Sequence, residues 1–174
     1  MKGWPEEIYG VLKAANVRQV GYVPDAGHKR LIEMCLADKQ MRAVVLSTEE
    51  EGVGLAAGAW LGGVRSALLM QSSGVGNCIN HLGTVRECRF PLLMLVTMRG
   101  QKGEFNPWQV SMGQATPAVL QAMGVVVQEA NTPAEIAPAV DEAARLAFGS
   151  YQAVAVLISQ AVIGIKSFQD QASR

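Results

Sequence analysis

Short runs of β-branched and aliphatic residues alternate along this chain with stretches whose apolar side chains recur every three or four positions. The runs occupy residues 17–23, 42–46, 67–71, 92–97, 125–128 and 153–158, and continuous apolar runs of this length suit strands covered on both faces. The helical spacing falls between them, at residues 7–15, 29–38, 50–61, 77–88, 117–123 and 133–148. Such alternation predicts an α/β fold, a doubly wound and mainly parallel six-stranded sheet with helices on both faces.

Local signals fit that plan. Thr132-Pro133-Ala134-Glu135 has the form of a capping box with proline at the first helical position, and it predicts the start of the last long helix. Pro138 lacks the N–H that a helix interior uses, so a kink or a later start is expected there. No repeat or linker divides the chain, which predicts one domain over residues 1–174 with a flexible polar tail at 167–174.

Composition narrows the function classes. The chain has 174 residues, 49% apolar and 17% charged, so much of its surface must be buried in a core or against another subunit. Self-association is expected. Fifteen basic and fifteen acidic side chains cancel, removing the long-range field that a nucleic-acid or membrane-surface binder carries. Neither the start of the chain nor its longest apolar run, residues 90–96, suits a signal peptide or a membrane span, and a cytoplasmic location is expected. Cys35, Cys78 and Cys88 show no CxxC spacing and read as free, buried thiols.

Open α/β sheets bind ligands at the carboxyl ends of their strands. One such loop places Glu49, Glu50 and Glu51 before a small-residue helix, Gly52-Val53-Gly54-Leu55-Ala56-Ala57-Gly58. Acids in a first turn complement the helix dipole, which alone accounts for three of them. Successive helical residues point about 100° apart, so at most one can face a given pocket. A carboxyl desolvated against the small-residue wall would hold its proton more tightly and suit proton exchange. Another loop, Ser72-Ser73-Gly74-Val75-Gly76-Asn77, joins a strand to a helix. It reads either as a plain turn or as a place where backbone N–H groups approach a ligand, and it lacks both Walker and full GxGxxG spacing.

Together these segments resemble the pyrimidine-binding domain of thiamine diphosphate enzymes. Thr48-Glu49-Glu50-Glu51-Gly52-Val53-Gly54-Leu55-Ala56-Ala57-Gly58 is similar to that domain's glutamate-bearing helix, and Met70-Gln71-Ser72-Ser73-Gly74-Val75-Gly76-Asn77 to its next loop. Val23-Pro24-Asp25 and Arg99-Gly100 fit as well, so the resemblance runs from about residue 10 to residue 160. Within the family it is closest to α subunits of sulfopyruvate decarboxylases, with phosphonopyruvate decarboxylases near them.

The resemblance implies thiamine diphosphate as cofactor and Glu49 as the acid that hydrogen-bonds the aminopyrimidine N1′, promoting removal of the thiazolium C2 proton. A register matching a Glu-x-Gly start selects Glu50 instead. Ser73, Gly74, Gly76 and Asn77 are the implied cofactor contacts, and the bound cofactor would serve as electron sink for loss of carbon dioxide from a 2-oxo acid. The family holds Mg²⁺ and diphosphate through a Gly-Asp-Gly segment followed by an Asn, and no Gly-Asp-Gly occurs here. A β subunit carrying the diphosphate-binding domain and the Mg²⁺ is therefore implied, with no metal ligand from this chain. For an anionic 3-substituted pyruvate the candidate contacts are Asp25, His28, Arg99 and Lys102. Asp25 reads equally well as a helix cap, Arg99 and Lys102 as solvated bases, and His81 as structural. A binding module without turnover, and a generic nucleotide-binding domain, are the competing classes.

Overall fold

The computed structural model describes residues 3–164; the expected tail at 167–174 lies outside them. Six strands alternate with helices: α1 (Trp4–Ala14), β1 (Val17–Tyr22), α2 (Lys29–Ala37), β2 (Arg42–Val45), α3 (Glu49–Leu61), β3 (Arg65–Gln71), α4 (Ser72–Cys88), β4 (Leu92–Thr97), α5 (Trp108–Ala122), β5 (Val126–Ala130), α6 (Pro133–Ser150), β6 (Ala153–Ile158) and the short α7 (Gln160–Ile163). The sheet runs β2-β1-β3-β4-β6-β5, and every neighbouring pair is parallel. The sheet is thus wholly parallel, which puts all six carboxyl ends along one rim. The chain steps outward from β1 to β2 and then returns to β3 on the other side of β1. That reversal opens a crevice at the rim.

β4 and β6 are buried at every position because helices cover both faces of the sheet. On one face Ile8 and Leu12 of α1, Leu31 of α2 and Val140 of α6 pack with Leu69 and Leu93. On the other, Val53 of α3, Val75 and Leu82 of α4 and Leu120 of α5 pack with Leu68 and Met94. Each such side chain contributes about 1.5–3 kcal/mol on leaving water. Gly52 brings α3 onto the sheet: a Cβ there would stand 2.3 Å from Leu68 Cδ1.

Three expectations need correction. α6 begins at Pro133 and continues past Pro138 to Ser150, so there is no late start. Glu135 Oε2 accepts from the Asn131 and Thr132 N–H groups, which secures the helix before the proline is reached. α4 and α5 begin well before residues 77 and 117, because the Ser/Gly-rich segment after β3 is itself the first turn of α4. Of the three thiols Cys35 and Cys78 are buried, but Cys88 is exposed at the end of α4.

Candidate active site

β2 leads through Leu46-Ser47-Thr48 into α3, and Thr48 in extended backbone caps the helix with the three acids in its first turn. They go three ways. Glu51 Oε2 turns back to accept from the Ser47 N–H at 2.8 Å, satisfying a donor ahead of the helix. Glu50 is half-exposed, 3.8 Å from His81 Nδ1. Glu49 alone is buried, at 8% exposure.

The place for Glu49 is made by α4. A Cβ on Gly74 would stand 2.3 Å from Glu49 Cδ and 2.4 Å from Oε1, so the bare glycine lets the carboxyl lie on the helix. One turn later Asn77 Nδ2 donates to Glu49 Oε2 at 2.8 Å, while Oε1 makes no hydrogen bond among the described residues. The acid is held by one oxygen and offers the other. Gly76 has a different neighbour, Met112 Sδ on α5, 3.2 Å from where its Cβ would be. Ser73 is partly buried on the same first turn of α4.

Along the rim, Thr97 at the end of β4 donates its hydroxyl to Asp25 Oδ2 at 2.5 Å. Gly27 fits beneath them, a Cβ there being 2.7 Å from Thr97 Cγ2 and 2.9 Å from Asp25 Oδ2. The capping role considered for Asp25 is not used: His28 occupies the cap of α2, without a side-chain bond. His28 has no exposed surface, and its Nε2 lies 3.0 Å from the Leu95 carbonyl oxygen. Burial holds its pKa below the ordinary value.

Arg99 is also engaged. Its Nε and Nη2 each donate to the Glu104 carboxylate at 2.7 Å, and its backbone N–H donates to Ser72 Oγ at the head of α4. Glu104, which sequence reading missed, has a side chain only 1% exposed. The guanidinium, with further hydrogen bonds, holds its pKa down at about 2. Lys102 is exposed in the same loop.

The model of the family described as thiamine pyrophosphate enzyme, N-terminal TPP binding domain, matches residues 5–123. The chain belongs to that family. This TPP-binding domain is 36% identical to the sulfopyruvate decarboxylase subunit alpha of Methanothermobacter thermautotrophicus, over 88% of this chain and 93% of that one. With the subunit alpha of Methanococcus maripaludis it shares 34% identity, over 88% and 92%. A phosphonopyruvate decarboxylase of Streptomyces viridochromogenes is 34% identical over 66% of this chain, which spans 29% of its length. Among solved structures, 2-oxoglutarate:ferredoxin oxidoreductase from Magnetococcus marinus has the same fold, with a TM-score of 0.72 over 94% of this TPP-binding domain and 30% of that chain, at 12% identity. Among the described residues no helix is long and apolar enough to cross a membrane, and no cluster of three metal-binding side chains occurs.

Proposed function

We propose that this chain is the α subunit of a cytoplasmic, thiamine diphosphate-dependent decarboxylase acting on sulfopyruvate or a similar anionic 3-substituted pyruvate. The single observation that carries the reading is the Glu49 carboxyl: buried, fixed through one oxygen by Asn77, and with no hydrogen bond to the other among the described residues. An aminopyrimidine needs this arrangement at its N1′, an acid that shares a proton without swinging into water. The bare α4 turn at Gly74 admits the Glu49 carboxyl itself, and Ser73 stands on the same turn. Gly76 assists at one remove, by letting α4 close on Met112. When bound, thiamine diphosphate supplies the electron sink for loss of carbon dioxide. Glu49 holds and moves the proton at N1′, and Asn77 keeps its carboxyl in place.

A β subunit would bring the diphosphate-binding half and its Mg²⁺. The naming of the matched relatives as subunits alpha supports this, as does a longer sulfopyruvate decarboxylase, from Methanosarcina acetivorans, of which this chain spans 31%. Self-association of the complex fits the apolar composition. Asp25, Arg99 and Lys102 are the candidate substrate contacts of this chain, and phosphonopyruvate is the alternative substrate, supported by the Streptomyces relative.

The test is to co-purify the chain with a partner bearing Gly-Asp-Gly and a later Asn, and to measure carbon dioxide released from sulfopyruvate, phosphonopyruvate and pyruvate. Glu49→Gln should lower the rate at least ~10²-fold, the scale of a lost acid–base group. An unchanged rate would remove Glu49 from the chemistry.

A further inference from the structure

The segment between β4 and α5 holds a buried ionisable group that the proton transfer does not use. The Glu104 carboxylate gathers hydrogen bonds from Arg99 Nε and Nη2, from the Gly100 and Asn106 N–H groups at 3.2 and 2.9 Å, and from Gln160 Nε2 at 2.9 Å. Gln160 in turn exchanges bonds with Gln101. It donates its backbone N–H to Gln101 Oε1 at 2.8 Å and accepts the Gln101 N–H at 3.0 Å. Ser159 Oγ donates to the same Gln101 oxygen at 3.0 Å. One carboxylate therefore ties the loop after β4 to the end of β6.

These contacts act on Arg99. A long side chain on a rim loop would ordinarily sample many rotamers, and a ligand would have to order it. Here the guanidinium is gripped along its Nε–Nη2 edge, which leaves Nη1 without a hydrogen bond among the described residues. Its backbone N–H is fixed to Ser72 at the head of the helix that carries Asn77. The planar fork is fixed before any substrate arrives.

We propose that Glu104 is a positioning residue for substrate binding: it fixes Arg99 so that the Nη1 edge meets the anionic 3-substituent of the 2-oxo acid, the sulfonate of sulfopyruvate. The inference rests on the decarboxylase reading and adds a residue that nothing else assigns. Glu104 takes no part in proton transfer, so its effect belongs in KM rather than kcat.

The experiment uses the reconstituted complex and compares the parent with Glu104→Gln, Arg99→Ala and the double variant, measuring kcat and KM for sulfopyruvate and for uncharged-tail pyruvate. Glu104→Gln should raise the sulfopyruvate KM on the order of tenfold, equivalent to about 1.4 kcal/mol. It should leave kcat within about threefold and the pyruvate KM nearly unchanged. With Arg99 already removed, the second substitution should add little, because both act on one contact. Equal effects of Glu104→Gln with and without Arg99, a loss confined to kcat, or the same change in KM for both substrates would overturn the proposal. If Glu104→Gln does not assemble, Gln160→Ala removes a single bond from the carboxylate and should raise the sulfopyruvate KM about threefold, a smaller step in the same direction; no change would overturn it too. A parent complex that decarboxylates neither acid would sink the functional reading, whereas an active parent with an indifferent Glu104 would sink only this one.

Discussion

Replacing Gly74 by alanine would add a methyl group where Glu49 already stands. The new Cβ would be 2.3 Å from Glu49 Cδ and 2.4 Å from both Cγ and Oε1. Carbon atoms settle at about 3.5–4.0 Å, so the carboxyl must retreat by about 1.2 Å or more. Moving outward, it would lose the 2.8 Å bond from Asn77 and gain water. Overpacking of this kind costs about 1–3 kcal/mol, but alanine regains about 1 kcal/mol of helix propensity within α4, so the net loss of stability should be about 0–2 kcal/mol. The rate should suffer more: a misplacement near 1 Å of a reacting group costs about 10²-fold. The assay is initial carbon dioxide release by the complex, alongside its melting temperature. A Gly74→Ala complex with the parent's rate would refute the claim that the bare glycine admits the working carboxyl.

Other outcomes follow from the same structure. Gly10 lies within α1 with nothing within 4 Å of an added Cβ, so Gly10→Ala should stabilise the chain by about 0.5–1 kcal/mol in denaturant titration without touching activity. The Glu104 pKa falls from its ordinary 4.5 to about 2 on folding. A depressed acid stabilises the fold above its unfolded value, so this contribution is present above pH 4.5 and drains away as pH falls toward 2. Asp38, held near 2 by Lys13, fades over the same window, so the measurement is the difference between the parent and Glu104→Gln melting curves, which should shrink from pH 5 to pH 2. Burial pushes the Cys35 and Cys78 thiols up to about 12, whereas Cys88 is exposed. Brief treatment of the folded chain with an alkylating reagent should therefore label Cys88 alone by peptide mass mapping.

The strands were readable because a sheet buried on both faces leaves little besides apolar residues in them. Residues 92–97 and 153–158 were found to the residue. Harder to read were helices whose first turns carry special chemistry. Ser72-Ser73-Gly74-Val75-Gly76 has a turn's composition, but its glycines serve contacts, one with Glu49 and one with Met112, and the backbone stays helical. The front of α5 is hard to read because Trp108-Gln109-Val110-Ser111 lacks a clear apolar stripe; two of its glycine-lined contacts are with backbone, as at Gly113 against Arg99. Among the three acids, spacing showed that only one could turn inward, but the partner that receives it, Asn77, lies 28 positions away. Glu104 gave one faint sign, an acid five residues after an arginine in a polar loop. Its bond to Gln160, 56 positions on, depends on β4 and β6 being neighbours.

The backbone contact between the rim loop and α5 has a mechanical consequence. A Cβ on Gly113 would lie 2.0 Å from the Arg99 carbonyl oxygen, and one on Gly100 would lie 2.4 Å from the Gln109 carbonyl oxygen, so loop and helix touch main chain to main chain with no side chain between them to act as a cushion. Any tilt of the loop is passed straight to the helix. Trp108, 84% exposed, stands at the head of that helix, so a tilt of the loop would carry this large apolar side chain with it.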